Sequence, residues 1–142
     1  AGTFIRTTRN PTPLLEFLTT VDQPFKFIIY TETQDLVLPF LPILKEKLEV
    51  RHYIPRIDLL KELSSMDFLV NIAYDAVHQA PSKLIDYYLT GRPILSSVTN
   101  EFDHNAVRDF IAGNYTNSFV FNNIEQYKIE NVATKFLSLS KE

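Results

Sequence analysis

The residues best suited to chemistry gather in the stretch Asp67–Ser96, "DFLVNIAYDAVHQAPSKLIDYYLTGRPILS". It reads as a strand, a loop, a helix start, a glycine stop and a second strand. Ser82 is a natural N-cap, and the helix end behind it presents free backbone N–H groups with a partial positive charge. Lys83 adds a full charge at the same end, so an anion fits there. Asp86 lies one turn further in, and a carboxylate that accepts two hydrogen bonds suits a vicinal diol. A phosphate beside a ribose has that shape. The end of the short opening run Gly2–Ile5 carries Arg6 and Arg9, cations where a receiver-type phosphorylation domain would want clustered acids.

Each of these residues also has a plainer reading. A carboxylate in a first turn, as at Asp86, favours the helix dipole by about 0.3–1 kcal/mol with nothing bound. Ser82 caps a helix in either case. Lys83, Arg6 and Arg9 read equally as solvated charges, and Tyr53 as an edge or core aromatic. Tyr87 and Tyr88 are adjacent on a helix, face different ways and read as packing residues.

Composition removes several other chemistries. The chain has 142 residues, three Gly and no Cys, with a net charge of −3. Three glycines leave no dinucleotide fingerprint and no P-loop. The lack of Cys excludes thiolate catalysis and Cys-ligated zinc. His52, His78 and His104 show no i, i+4 metal pairing, so no metal and no cofactor are expected. The negative balance gives no global pull toward nucleic acid. No apolar run approaches the roughly 18 residues of a membrane span. The expectation is a soluble, cytoplasmic chain.

The elements that must position these residues alternate in type. β-rich runs at Phe25–Tyr30, Glu49–His52, Phe68–Ile72, Pro93–Ser96 and Ser118–Phe121 are separated by stretches with helical spacing, and Gly2–Ile5 can serve as a further strand. Leu14, Leu18 and Val21 share a helix face after Pro11 and Pro13, as do Leu59, Leu60, Leu63 and Met66 after Pro55. The Ser82 helix ends at Gly91. Further helices are expected at about Asp103–Ile111 and Glu125–Leu139, while Pro39 and Pro42 make Gln34–Leu48 a poor helix. The expected fold is α/β: one domain over residues 1–142, a Rossmann-like, doubly wound parallel sheet of about six strands with helices on both faces. Ligands of such a sheet bind at the carboxyl ends of the strands, which directs attention to the loop after the first strand, to Tyr53–Arg56 and to Ala73–Ser82.

"PSKLIDYYLTGRPIL" resembles the donor-binding segment of GT-B glycosyltransferases of the family-four-like group: Pro-Ser-Lys, an acid three residues after the Lys, then Gly-Arg/Lys-Pro. "GTFIRTTRNPTPLLEFL" resembles their first strand and loop, where a glycine and a basic residue meet the diphosphate. "YIPRIDLLKELSSMDFLV" resembles the segment where a loop beside the base leads into a helix and then a strand. The resemblance runs through nearly the whole chain and covers the C-terminal half of such an enzyme.

Carried over residue by residue, it implies a ribose-binding acid at Asp86, a helix start holding the distal phosphate at Ser82 and Lys83, a first-loop glycine and base at Gly2 and Arg9 with Arg6 nearby, and base contacts at Tyr53 and Ile54. Many relatives carry a Glu where this chain has His78, eight residues before the ribose-binding acid; Asp75 is a substitute if the loop folds back. The implied activity is hexosyl transfer, with retention, from a uridine or guanosine diphosphate sugar to an acceptor hydroxyl in polysaccharide synthesis. The acceptor, a glycan or lipid-linked glycan, would be held by an N-terminal domain outside these residues, which would also make any peripheral membrane contact. The 142-residue chain is then expected to transfer nothing alone. Two other classes stay open: a non-catalytic nucleotide-sugar or interaction module using the same helix end, and an unrelated flavodoxin-like binding domain.

Overall fold

The computed structural model describes residues 1–73, 81–98 and 102–121. In chain order the elements are α1 (Thr12–Leu18), β1 (Phe27–Tyr30), α2 (Leu41–Leu44), β2 (Leu48–Arg51), α3 (Arg56–Ser64), β3 (Leu69–Ala73), α4 (Pro81–Leu89), β4 (Ile94–Val98) and α5 (His104–Ile111). The expected helix at Glu125–Leu139, the residues His78 and Asp75, and most of the loop before Ser82 lie outside the described residues.

The chain is α/β, but the expected sheet of about six strands does not form. Among the described residues there are two separate two-stranded parallel sheets, β1–β2 and β3–β4. Their registers pair Phe27 with Leu48 and Tyr30 with Arg51, and Leu69 with Ile94 and Ala73 with Val98. Local hydrogen bonding explains the two missing strands. After Gly2 donates its N–H to the Tyr30 carbonyl at 2.9 Å, the chain curls back on itself. Arg9 N–H meets the Ile5 carbonyl at 2.8 Å and Ile5 N–H the Arg9 carbonyl at 3.2 Å, closing a turn over Arg6–Thr8. Ser118 is likewise held in a turn, with its N–H on the Tyr115 carbonyl at 3.1 Å; from Ser118–Phe121, Phe119 N–H reaches β4 at the Ile94 carbonyl, 2.7 Å away.

Strand ends follow from residue type. β4 begins at Ile94 because Pro93 has no N–H to place in a ladder, although its carbonyl accepts from Leu69 at 2.9 Å. The segment Gln34–Leu48 breaks up as Pro39 and Pro42 require, into a 3₁₀ turn at Leu38–Phe40, the single turn of α2, and a second 3₁₀ turn at Lys45–Lys47. Gly91, at φ 70°, stops α4 in the left-handed conformation that glycine adopts without steric cost. α5 is capped by Asp103, whose carboxylate accepts from the N–H groups of Asn105 and Ala106 at 2.8 and 3.3 Å.

Helices cover both faces of β4. Leu14, Leu15 and Leu18 of α1 and Val107 and Phe110 of α5 pack with Ile29, Leu48 and Leu95 in one buried cluster. Leu63 of α3 and Leu84 and Tyr87 of α4 pack with Leu69 and Ile94 in the other. Neighbouring strand residues point to opposite faces, so Ile94 and Leu95 enter different clusters. Asn71, buried on β3, donates to the Ser96 hydroxyl across the ladder at 3.0 Å. Among the described residues no helix is long and apolar enough to cross a membrane.

Phe110 is 1% exposed and meets Phe68 and Tyr115 edge-on, at centroid distances of 5.1 and 5.3 Å. Phe110→Ala is expected to cost about 3–5 kcal/mol of stability, and Asp103→Ala about 1 kcal/mol through loss of the cap. Urea unfolding followed by circular dichroism reads both; equal losses for the two variants would contradict the assignment of Phe110 to the core.

Candidate functional site

α4 begins at Pro81, a residue type suited to a first helical position, so Ser82 is the second residue of the helix and not its N-cap. The correction keeps Ser82 useful, because its own N–H is among the first four of the helix, which have no intrahelical acceptor. Ser82 is exposed, and Lys83 and Asp86 are half-buried beside it. Leu84 and Tyr87 of the same helix are buried and pack with Leu69 and Ile94 of the sheet.

A cavity of about 280 Å³ opens at this helix end, walled by Gly2, Tyr53, Arg56, Ser82, Lys83, Asp86 and Tyr87. Two of its walls come from segments that follow strands, α4 after β3 and Tyr53 after β2, and a third from Gly2, whose N–H bonds the carbonyl of the last residue of β1. Five of the residues singled out from sequence are thereby brought together: Gly2, Tyr53, Ser82, Lys83 and Asp86. Arg9 joins from the adjoining cleft, which it shares with Lys83, because the Ile5–Arg9 turn carries it back past Gly2. Arg6 is exposed in that turn and lines neither cavity, and Ile54 is half-buried in the loop without lining them.

Gly2 has φ +136°, a conformation that side-chain-bearing residues rarely adopt, and the Lys83 ammonium lies 3.2 Å from where a Cβ would stand. The glycine therefore serves both the bend and the approach of the cation.

Lys83 is the electrostatic centre of the site. Burial, and after it the charge of Arg9, pulls its pKa from 10.5 down to about 8. Burial and the charge of Lys83 likewise pull the Ala1 amino group down to about 4, while that group donates to the Tyr87 hydroxyl at 3.0 Å. Among the described residues no carboxylate forms an ion pair with Lys83 or Arg9. Lys83 instead lies 5.6 Å from the centroid of the Tyr87 ring. Such a concentration of positive charge favours an anion.

Asp86 turns the other way, and its carboxylate is gripped by the Arg56 guanidinium. Nε contacts the two oxygens at 3.2 and 3.1 Å, and the terminal nitrogen bonds the first of them. Sequence reasoning reached Arg56 only as the end of the candidate loop Tyr53–Arg56 and gave it no role. One signal was present: a cation in the first turn of α3 opposes the helix dipole and so asks for an acidic partner. Glu32 is the second unforeseen residue. Its carboxylate accepts the Tyr53 N–H at 2.7 Å and faces His52 at 3.3 Å, and these two contacts, the Tyr53 N–H foremost, hold it below the usual carboxylate range. The Tyr53 hydroxyl pairs with that of Thr3 at 3.2 Å, so the loop after β2 is tied to the first loop of the chain. Tyr87 packs as expected, and its hydroxyl at Ala1 adds a polar contact to that role.

The site thus offers one cationic corner and one acidic corner with a donor-rich helix end between them. Among the described residues no group of three or more His, Cys, Asp or Glu is arranged to hold a metal ion. Comparisons with family models, with curated proteins and with solved structures find no match.

The lowered pKa of Lys83 makes folding pH-dependent. Between about 8 and 10.5 the unfolded chain binds the proton that the folded chain has released, so this residue makes stability rise with pH across that window. Replacing it with an apolar residue of similar length removes the cost of burying the charge. Lys83→Met is therefore expected to be more stable than the parent at pH 7, by on the order of 1–3 kcal/mol, with the gap closing toward pH 10. Urea midpoints at both pH values test this, and a gap that does not change with pH would contradict it.

Proposed function

We propose that this chain is the donor-binding half of a glycosyltransferase that moves a glycosyl group from a nucleoside-diphosphate sugar to an acceptor hydroxyl, working in the cytoplasm beside an N-terminal acceptor domain. The observation that carries the reading is the convergence on one cavity of the α4 start, the half-buried Lys83, Gly2 and the Asp86 carboxylate, with Arg9 alongside. The quoted resemblance to GT-B donor-binding segments is the second support.

In this reading the diphosphate lies against the first N–H groups of α4, between Lys83 and Arg9. Negative charge accumulates on it as the bond from sugar carbon to phosphate oxygen breaks. Fixed cations and oriented N–H groups stabilise that charge strongly where water is excluded. Asp86 accepts the ribose hydroxyls; a carboxylate has about four acceptor sites, so the Arg56 fork orients it while leaving capacity for a diol. Tyr53, held by Glu32 and Thr3, borders the space beyond the ribose where a base would rest. The acceptor, a glycan or lipid-linked glycan, is supplied from the other domain, together with any contact to a membrane surface.

Calorimetric titration with uridine, guanosine and adenosine diphosphates tests the proposal. One of them is expected to bind, and Asp86→Ala to weaken that binding by about 1–3 kcal/mol, since a buried hydroxyl loses its partner. Affinity is expected to hold up to about pH 8 and to fall above it, as free Lys83 loses its proton. A folded Asp86→Ala chain with unchanged affinity would remove the ribose assignment, and lack of binding by all three diphosphates would remove the donor site. Sugar transfer by the 142-residue chain alone would overturn the half-enzyme reading.

A further inference from the structure

Two cations border the cavity within range of one carboxylate. Asp86 stands three positions after Lys83 and is the only acid of α4, and residues so spaced are neighbours on a helix surface. Arg56, the first residue of α3, reaches the same carboxylate from across the cavity, and it is Arg56 that holds it. Its Nε donates to both oxygens, at 3.2 and 3.1 Å, while a terminal nitrogen bonds Oδ1. A planar guanidinium matches a carboxylate at two points, whereas an ammonium is a point charge on a flexible stem. The fork has the advantage.

Stability gains little from this pair. The Arg56 side chain is 62% exposed, so solvent screens the attraction, and a cation in the first turn of α3 opposes the helix dipole. What the contact does is positional. Leu63 of α3 packs in one buried cluster with Leu84 and Tyr87 of α4, and Leu59 packs against it, so the two helices are held together beneath the charged groups.

Lys83 faces a different set of groups: the Arg9 guanidinium, the Ala1 amino group and the Tyr87 ring. None of these is an acid at neutral pH, because burial, and after it the charge of Asp86, pushes the Tyr87 hydroxyl well above the usual phenol range. Asp86 is thus the group on its own helix able to neutralise Lys83, and Arg56 draws it aside.

We propose that Arg56 is a positioning residue of the cationic corner: by holding the Asp86 carboxylate toward α3, it keeps the Lys83 ammonium available to a phosphate-bearing ligand. This role rests on the reading of Lys83 as a phosphate contact. It has a distinctive consequence: loss of a cation that touches no phosphate weakens phosphate binding, and loss of the acid as well restores it.

Four versions of the full chain are compared: the parent, Arg56→Gln, Asp86→Asn and the double variant. Lys83 is titrated by NMR of carbon-labelled lysine in about 1 M sodium chloride, where the screening length is about 3 Å and only groups in contact still couple. The midpoint is expected near 8 in the parent. In Arg56→Gln it is expected to rise by about one pH unit or more, as Asp86 meets the ammonium, and in the double variant to return to the parent value. Asp86→Asn alone is expected to leave it unchanged. In dilute salt at about pH 7, inorganic pyrophosphate is expected to bind Arg56→Gln about tenfold more weakly than the parent, and the double variant as tightly as the parent. Pyrophosphate has no ribose, so loss of a diol contact at Asp86 does not enter the comparison.

An unmoved midpoint in Arg56→Gln, a midpoint that falls in Asp86→Asn, or pyrophosphate binding as weak in the double variant as in Arg56→Gln would each overturn the role of Arg56. If Arg56→Gln does not fold, the Asp86→Asn midpoint still decides. Failure of the parent to bind pyrophosphate would instead overturn the phosphate reading of Lys83, while the titration separately reports which cation Asp86 meets.

Discussion

The desolvated cation at Lys83 is the constraint around which this end of the molecule is arranged. An ammonium withdrawn from water raises the free energy of the folded state, and among the described residues no carboxylate forms an ion pair with this one. It persists because α4 is held to the sheet by the buried Leu84 and Tyr87, and because Gly2 leaves room where any other residue would place a Cβ. The Tyr87 ring offers partial compensation through its π face. Lys83 thus brings positive charge to the wall of the cavity.

Asp86 completes that logic by not pairing with Lys83. Three positions apart on one helix, an acid and a base are near enough to neutralise each other. Here Arg56 intercepts the carboxylate from α3, so the cationic and acidic corners stay separate. The contact also joins the two helices that share a core cluster with Leu69 and Ile94. Glu32 does comparable work at Tyr53, fixing its backbone N–H while the Tyr53 hydroxyl pairs with that of Thr3. A polar frame of exposed contacts surrounds the cavity, each weak by itself because solvent screens it, and its effect is on geometry more than on stability.

The fold divides along the same line between local and non-local causes. β1 to β4 lie within two residues of the β-rich runs at Phe25, Glu49, Phe68 and Pro93, and α1, α3, α4 and α5 lie where their apolar stripes and terminal Pro, Asp or Gly residues put them. Those signals are local: side-chain period, a proline that lacks a donor, a glycine that accepts a positive φ. Gly2–Ile5 and Ser118–Phe121 have the composition of strands but reach one through single backbone bonds, Gly2 N–H to Tyr30 and Phe119 N–H to Ile94, because a strand exists only where a neighbouring edge accepts it along its length.

The site divides in the same way. That Ser82, Lys83 and Asp86 share one helix end is written in their spacing, and the small number of glycines and the absence of cysteine bound the chemistry from composition alone. Tertiary structure decided the rest: that Gly2 and Arg9 reach Lys83 while Arg6 does not, that Asp86 belongs to Arg56, that Tyr53 depends on Glu32, and that the strands form two sheets with a cleft between them. The physical reason is range. Helix ends and turns are set by contacts a few residues apart, which a sequence displays directly, whereas the partner of a charge or of a strand edge is chosen among all the surfaces that packing brings near it.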